Sequence, residues 1–291
     1  MTAWMIIAAM SLGAAPDGTA MTAGPPEQVA TGFKFTEGPL WLGEGGLIFS
    51  DIPGDTIYRA DKSVFRAPSG ASNGLTLDRE GRLLVCETKT RRVTRTEKDG
   101  AVTVIADRFE GHRFNSPNDV VVRSDGTIFF TDPPYGLPKG MQDPAAELGF
   151  AGVFAVRPGE APRVLGKDFA TPNGLAFSPD EKTLYVSDTE GKHIRAFDVA
   201  ADGTLSKGRE IYTLPVPDGL KVDAAGRVWC SAQDGVHVIG QDGKRLELIA
   251  VPDASNVAFG DADAKALYVT AIQSVFKVRI RESGILPGPG R

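Results

Sequence analysis

Six residues with oxygen-bearing side chains occupy the same slot in six related segments: Glu37, Asn73, Asn118, Asn173, Asp218 and Ser255. Neither histidine nor cysteine appears among them. Two carboxylates and several amide oxygens converging on one point form a donor set for a hard divalent cation, and calcium accepts the variable ligand number of such a set. Ca2+ is therefore the expected ion. Magnesium demands a tighter octahedron and zinc favours nitrogen or sulfur, so Mg2+, Mn2+ and Zn2+ stand as alternatives. Asn-Gly and Asp-Gly pairs also begin turns for purely conformational reasons. That explanation covers any one position, but not a slot that stays polar in every copy, including Asn118 and Ser255, which no glycine follows.

Bringing those side chains together requires a ring of equivalent elements, and a repeat supplies it. The clearest copies are NGLTLDREGRLLVCE from Asn73, NDVVVRSDGTIFFTD from Asn118, NGLAFSPDEKTLYVSD from Asn173 and DGLKVDAAGRVWCSA from Asp218. EGPLWLGEGGLIFSD from Glu37 and SNVAFGDADAKALYVTA from Ser255 complete the set. Each copy reads as a strand, a turn rich in Asp and Gly, and a second strand. Successive starts are 36 to 55 residues apart, which brackets the roughly 40 to 50 residues of a four-stranded propeller blade. Further strand pairs, such as 153–156 with 163–165, complete each blade. The expected fold is all-β, a six-bladed β-propeller; sandwiches lack such a repeat and solenoid repeats are shorter. In a propeller the innermost strand of each blade lines the channel, so the six slot residues face the axis. Residues 27–35 are expected to close the ring on the last blade.

The propeller is expected over residues 25–282, with 283–291 as a C-terminal tail. Residues 1–24 read as a signal peptide or a disordered tail: an apolar run from Ala3 to Met10 precedes Ala14 and Ala15, without a charged segment ahead of it. The expected location is periplasmic or secreted if that segment is a leader, and cytoplasmic otherwise. No run reaches the roughly 18 apolar residues of a membrane-spanning helix. A formal charge of -5 without runs of one sign leaves no nucleic-acid footprint, so the expected partner is a small molecule. Cys86 and Cys230 fall in the second and fifth repeats, on opposite sides of the ring, too far apart for a disulfide.

A second recurring slot holds Asp51, Glu87, Asp132 and Asp188. These are expected to accept backbone hydrogen bonds at strand ends. Asp132, ahead of Pro133-Pro134-Tyr135-Gly136, is also a candidate second cation site or pocket wall. Of the three histidines, His112 is the one placed to reach a pocket. Ser116 has no His and Asp partners at triad-like positions, which argues against a serine hydrolase.

EGPLW at 37–41, RFNSPND at 113–119, PNGLAFSPD at 172–180 and PDGLKVDAAGRVW at 217–229 stand in one order and register. Together they resemble the gluconolactonase, regucalcin and senescence-marker-protein family, over residues 28 to 278. The resemblance implies a six-bladed propeller that holds a divalent cation in its channel and opens sugar lactones; related members open other lactones or hydrolyse organophosphates. It implies that Glu37, Asn173 and Asp218 bind the metal, and that Asn118 ligates it or holds the substrate beside it. Asp218 would double as the catalytic carboxylate, acting as base or as nucleophile. Arg113 and Asn115 resemble substrate-side residues, and Asn73 and Ser255 complete the channel lining. A propeller that merely binds a partner, with calcium as a plug, shares this signature. The two differ in access: a catalytic ion sits open at the bottom of a pocket.

Overall fold

The computed structural model describes residues 20–290; the apolar run read as a leader lies outside the described residues. Six four-stranded antiparallel sheets form the blades of a β-propeller, with no α-helix among the described residues. Blade 1 comprises Thr36–Trp41, Leu47–Asp51, Thr56–Arg59 and Val64–Arg66, and blades 2 to 6 begin with Ser72–Leu77, Val120–Val122, Pro172–Phe177, Leu220–Val222 and Ala254–Gly260. Blade 6 takes its outermost strand from the other end of the chain. Glu27–Thr31 pairs with Ser274–Arg279, Glu27 opposite Lys277, which joins the two ends of the ring.

Turn chemistry makes the hairpins. Asp78 Oδ1 accepts the amides of Glu80 and Arg82 while Arg82 Nε donates to Oδ2, and Asp223 holds Ala225 and Arg227 in the same way. Burial then falls off from the axis outwards. The second strands LIFSD, LLVCE, IFFTD and VWCSA are buried at every residue, whereas the outermost strand Val102–Ala106 is largely exposed. The core is accordingly annular, with one apolar cluster in each seam between blades. Phe129 of blade 3 meets Phe177 of blade 4 edge to face at 4.9 Å. Cys86 lies in the seam of blades 2 and 3 and Cys230 in that of blades 4 and 5; both are free.

The segments flanking the repeats are packed against the ring. Ala23 N donates to Arg279 O, and Arg281 N to Met21 O. Residues 283–290, set apart as a tail by their pattern, cross the lower face instead. Gly284 bridges to Asp223, Gly288 reaches Leu77, and Ile285 and Pro287 cover the lower mouth of the channel. Burying those apolar side chains against the open end of a channel is what holds the segment there.

Candidate active site

The slot residues sit at the upper start of the inner strands, where pairing with the second strand is irregular. Register slips between Glu37 and Leu40, Ser72 and Leu75, Pro172 and Leu175, and Ala254 and Asn256. Such bulges re-aim side chains. Immediately below, neighbouring blades close on one another: Gly74 N donates to Asn118 O at 2.7 Å, and a Cβ on Gly74 would lie 2.6 Å from that oxygen. Glycine after the slot is thus a steric requirement of the axis as well as a turn preference.

Hydroxyls on the second strands lock the carbonyls of four slot residues to the preceding blade. Ser50 donates to Asn73 O at 2.8 Å, Thr131 to Asn173 O at 2.7 Å, Ser187 to Asp218 O at 2.6 Å and Ser231 to Ser255 O at 2.9 Å. The sequence expectations do not contain this ring, although its signal is present. The residue before the second slot is Ser50, Cys86, Thr131, Ser187, Ser231 or Thr270, a hydroxyl in every blade but one.

Above the ring lies a cavity of about 270 Å3, with Glu37, Asn73, Asn118, Asn173 and Asp218 at its floor and Phe35, Ile52, Tyr135 and Thr189 in its wall. Four floor oxygens, the Oδ1 atoms of Asn73, Asn118, Asn173 and Asp218, are buried without a hydrogen-bond partner. Left unpaired, an atom of this kind costs roughly 1–3 kcal/mol, and a hard cation fits a set of such oxygens converging on one point. Glu37 joins them through a carboxylate whose Oε2 accepts Gly38 N at 2.6 Å and Asn256 Nδ2 at 2.9 Å. Asn173 donates its Nδ2 to Thr189 Oγ1 at 3.0 Å and Tyr135 Oη at 3.4 Å, which turns its oxygen towards the cavity.

Burial pushes the Glu37 carboxyl well above the usual range, and the facing charge of Asp218 pushes it further. Burial likewise raises Asp218 to about 7, with Asp119 adding to the effect. A divalent ion reverses this, because it favours both ionised carboxylates. Among the described residues no three His, Cys, Asp or Glu side chains stand together as a metal cluster. The set needs its amide oxygens, which suits calcium and not zinc.

Asn73, read from sequence as channel lining, brings its free oxygen to the same floor. Ser255 does not: its hydroxyl donates to Thr36 O at 2.8 Å and lies 2.9 Å from Thr270 Oγ1, so it joins blades 6 and 1. The candidates from the loop before Asn118 also fall outside the cavity lining. Arg113 turns its guanidinium to Thr90 O at 3.1 Å, and His112 sits exposed in a short hairpin opposite Phe109. Asn115 is buried, its Nδ2 donating to Asp132 O and Phe150 O. Asp132 also lies outside the cavity lining, its two oxygens accepting Asn115 N at 2.7 Å and Ser116 N at 2.8 Å. Asp51 and Asp188 grip Lys34, Phe35, Ala170 and Thr171 amides in the same manner. These residues hold the loops that carry the wall. Ser116, for example, accepts Gly136 N and donates to Pro133 O, fixing the turn that presents Tyr135.

The sequence profile of the SMP-30/Gluconolactonase/LRE-like region matches residues 35–273. The chain is 31% identical to a gluconolactonase from Zymomonas mobilis, over 89% of this chain and 82% of that one. It is 27% identical to regucalcin from Xenopus laevis, over 84% and 85% respectively. A solved gluconolactonase from Xanthomonas campestris superposes with a TM-score of 0.79 at 35% identity, covering 88% of this chain and 89% of that one. With a profile match across nearly all the blades and relatives aligned over more than four-fifths of both chains, the chain belongs to the SMP-30/gluconolactonase/LRE-like family.

Proposed function

We propose that the chain hydrolyses lactones with a divalent cation, Ca2+ by preference, held by Glu37, Asn118, Asn173 and Asp218. The observation that carries this reading is the group of unpartnered oxygens at the floor of one small cavity. Relatives named gluconolactonase, and a pentonolactonase from Haloferax volcanii, support lactones as the substrate class and sugar lactones within it.

Bound at that floor, the ion supplies Lewis-acid polarisation of the ester carbonyl. Asp218 presents its carboxylate to the cavity and accepts a proton from the attacking water. Its backbone is held by Ser187, so the carboxylate meets the substrate preorganised. Asn118 orients the carbonyl or the water, while Thr189 and Tyr135 keep the Asn173 amide from turning its donors inwards. Water adds across the acyl C–O bond, and the proton taken by Asp218 passes to the departing alkoxide, giving the hydroxy acid. Phe35, Ile52 and Tyr135 give the wall above the floor an apolar part against which the carbon skeleton of a lactone can lie. A floor set beneath a cavity favours an open catalytic ion over a saturated plug.

Hydrolysis of δ-gluconolactone, followed by pH-stat, tests the reading. Activity is expected to disappear after exhaustive chelation and return with calcium; full activity in the stripped protein would refute the mechanism.

A further inference from the structure

One residue below the slot, the inner strands carry Gly38, Gly74, Asp119, Gly174, Gly219 and Asn256. A Cβ on any of the four glycines would stand 2.0 to 2.6 Å from the adjacent blade, so Asp119 and Asn256 supply the side chains of this layer. Asn256 is fully engaged: Nδ2 donates to Glu37 and Oδ1 accepts Val257 N. Asp119 is not. It is 1% exposed, Oδ1 accepts Val120 N at 2.8 Å, and Oδ2 has no hydrogen-bond partner.

Opposite it stands Lys221, whose Nζ lies 3.5 Å from that oxygen. This is looser than the roughly 2.7–2.9 Å of a closed charge-assisted bond. Asp119 belongs to blade 3 and Lys221 to blade 5, so the pair reaches across the channel and past blade 4. Asp119 follows the floor residue Asn118, and a Cβ on Gly74, next to Asn73, would meet its Oδ1 at 2.7 Å, so its charge sits directly against the floor above. Three buried carboxylates and one ammonium leave two negative charges, which a divalent ion balances.

We propose that Asp119 and Lys221 form a charged pair beneath the cation that sets how tightly the channel holds it, Asp119 strengthening binding without touching the ion and Lys221 weakening it. The proposal rests on the cation reading above. Asp119 is buried and the Lys221 side chain is 26% exposed, so salt screens the carboxylate little and the ammonium in part. Groups behind metal ligands commonly change affinity by about 10–100-fold.

Calorimetric calcium titration of the wild type, Asp119→Asn, Lys221→Gln and the double variant tests it. Asp119→Asn keeps an acceptor for Val120 N and is expected to weaken the calcium Kd about tenfold or more. Lys221→Gln is expected to tighten it severalfold, and the double variant to fall between the two. The calcium concentration giving half-maximal lactone hydrolysis should move in parallel. A merely structural strut would weaken binding in both single variants, and that result, or an Asp119→Asn Kd within twofold of wild type, would overturn the proposal. Should Asp119→Asn fail to fold by circular dichroism, Lys221→Gln decides alone: tighter binding supports the pair, and equal or weaker binding refutes it. No calcium uptake by the wild type would overturn the cation reading and this proposal together, whereas uptake with the wrong signs overturns the pair only.

Discussion

The channel has two chambers, built from the same six strands and opposite in character. The upper one, of about 270 Å3, has a floor of carboxylate and amide oxygens. The lower one, of about 40 Å3, is lined by Leu40, Leu75, Val120, Leu175, Val222 and Phe259, one from each blade, and is covered by Ile285 and Pro287. Two to four residues along each strand separate these environments. The contrast teaches how a short strand can do two jobs. Its start, freed by a bulge, aims a polar group at the axis; its continuation returns to regular pleating and seals the channel with aliphatic side chains. Under the proposed function, a cation on the oxygen floor would meet ligands on one side and the open cavity on the other.

The comparison breaks most sharply at Asp218. Asp218→Asn keeps the side chain's size and one ligand oxygen while removing its charge and basicity, so lactone turnover should fall by roughly 100- to 10,000-fold. The thermal unfolding midpoint should stay close to wild type, since neither seam nor lower chamber is touched. Near-normal rates on every lactone tested would move the catalytic role elsewhere.

Asn118→Asp sharpens the distinction between holding the ion and using it. An added charge at constant shape should leave calcium affinity unchanged or tighter by calorimetry, yet lower the hydrolytic rate by roughly tenfold or more, because a better-neutralised ion polarises the carbonyl less. A variant that binds calcium more tightly and hydrolyses as fast would assign Asn118 a purely structural place.

For the lower chamber the expected signs are reversed. Deleting residues 284–291 uncovers apolar surface and should cost on the order of 1–2 kcal/mol of stability in denaturant titration, with the rate at saturating calcium within about twofold of the full chain. A large loss of turnover at unchanged stability would mean that the two chambers are coupled. Between them lies the hydroxyl ring, where Ser187→Ala removes the bond to Asp218 O. About 1 kcal/mol of stability is expected to go with it, together with a small rise in the calcium Kd; no change in either would reduce that hydroxyl to a bystander.

Local pattern was enough for the architecture. Blade number, the closing role of Glu27–Thr31 and the polar slot all follow from a repeat whose strands and turns are specified within about fifteen residues. The slot also identified most of the floor, because equivalent positions in a closed ring face one axis: Asn73 joined Glu37, Asn118, Asn173 and Asp218 by that geometry, and only Ser255 was drawn off, to Thr36. What the sequence left undetermined lies between blades. Phe35, Ile52, Tyr135 and Thr189 come to one wall from separate connections, and no periodicity relates them. Arg113 and His112 sit close to Asn118 in the chain, yet the grip of Asp132 on the Asn115 and Ser116 amides directs that loop away from the cavity. Asp119 and Lys221 face each other from non-adjacent blades, a contact fixed only when all six inner strands have closed. Tertiary structure decided these because they depend on how whole sheets pack across the axis, and a strand's own alternation specifies which face a residue takes but not which distant residue it will meet there.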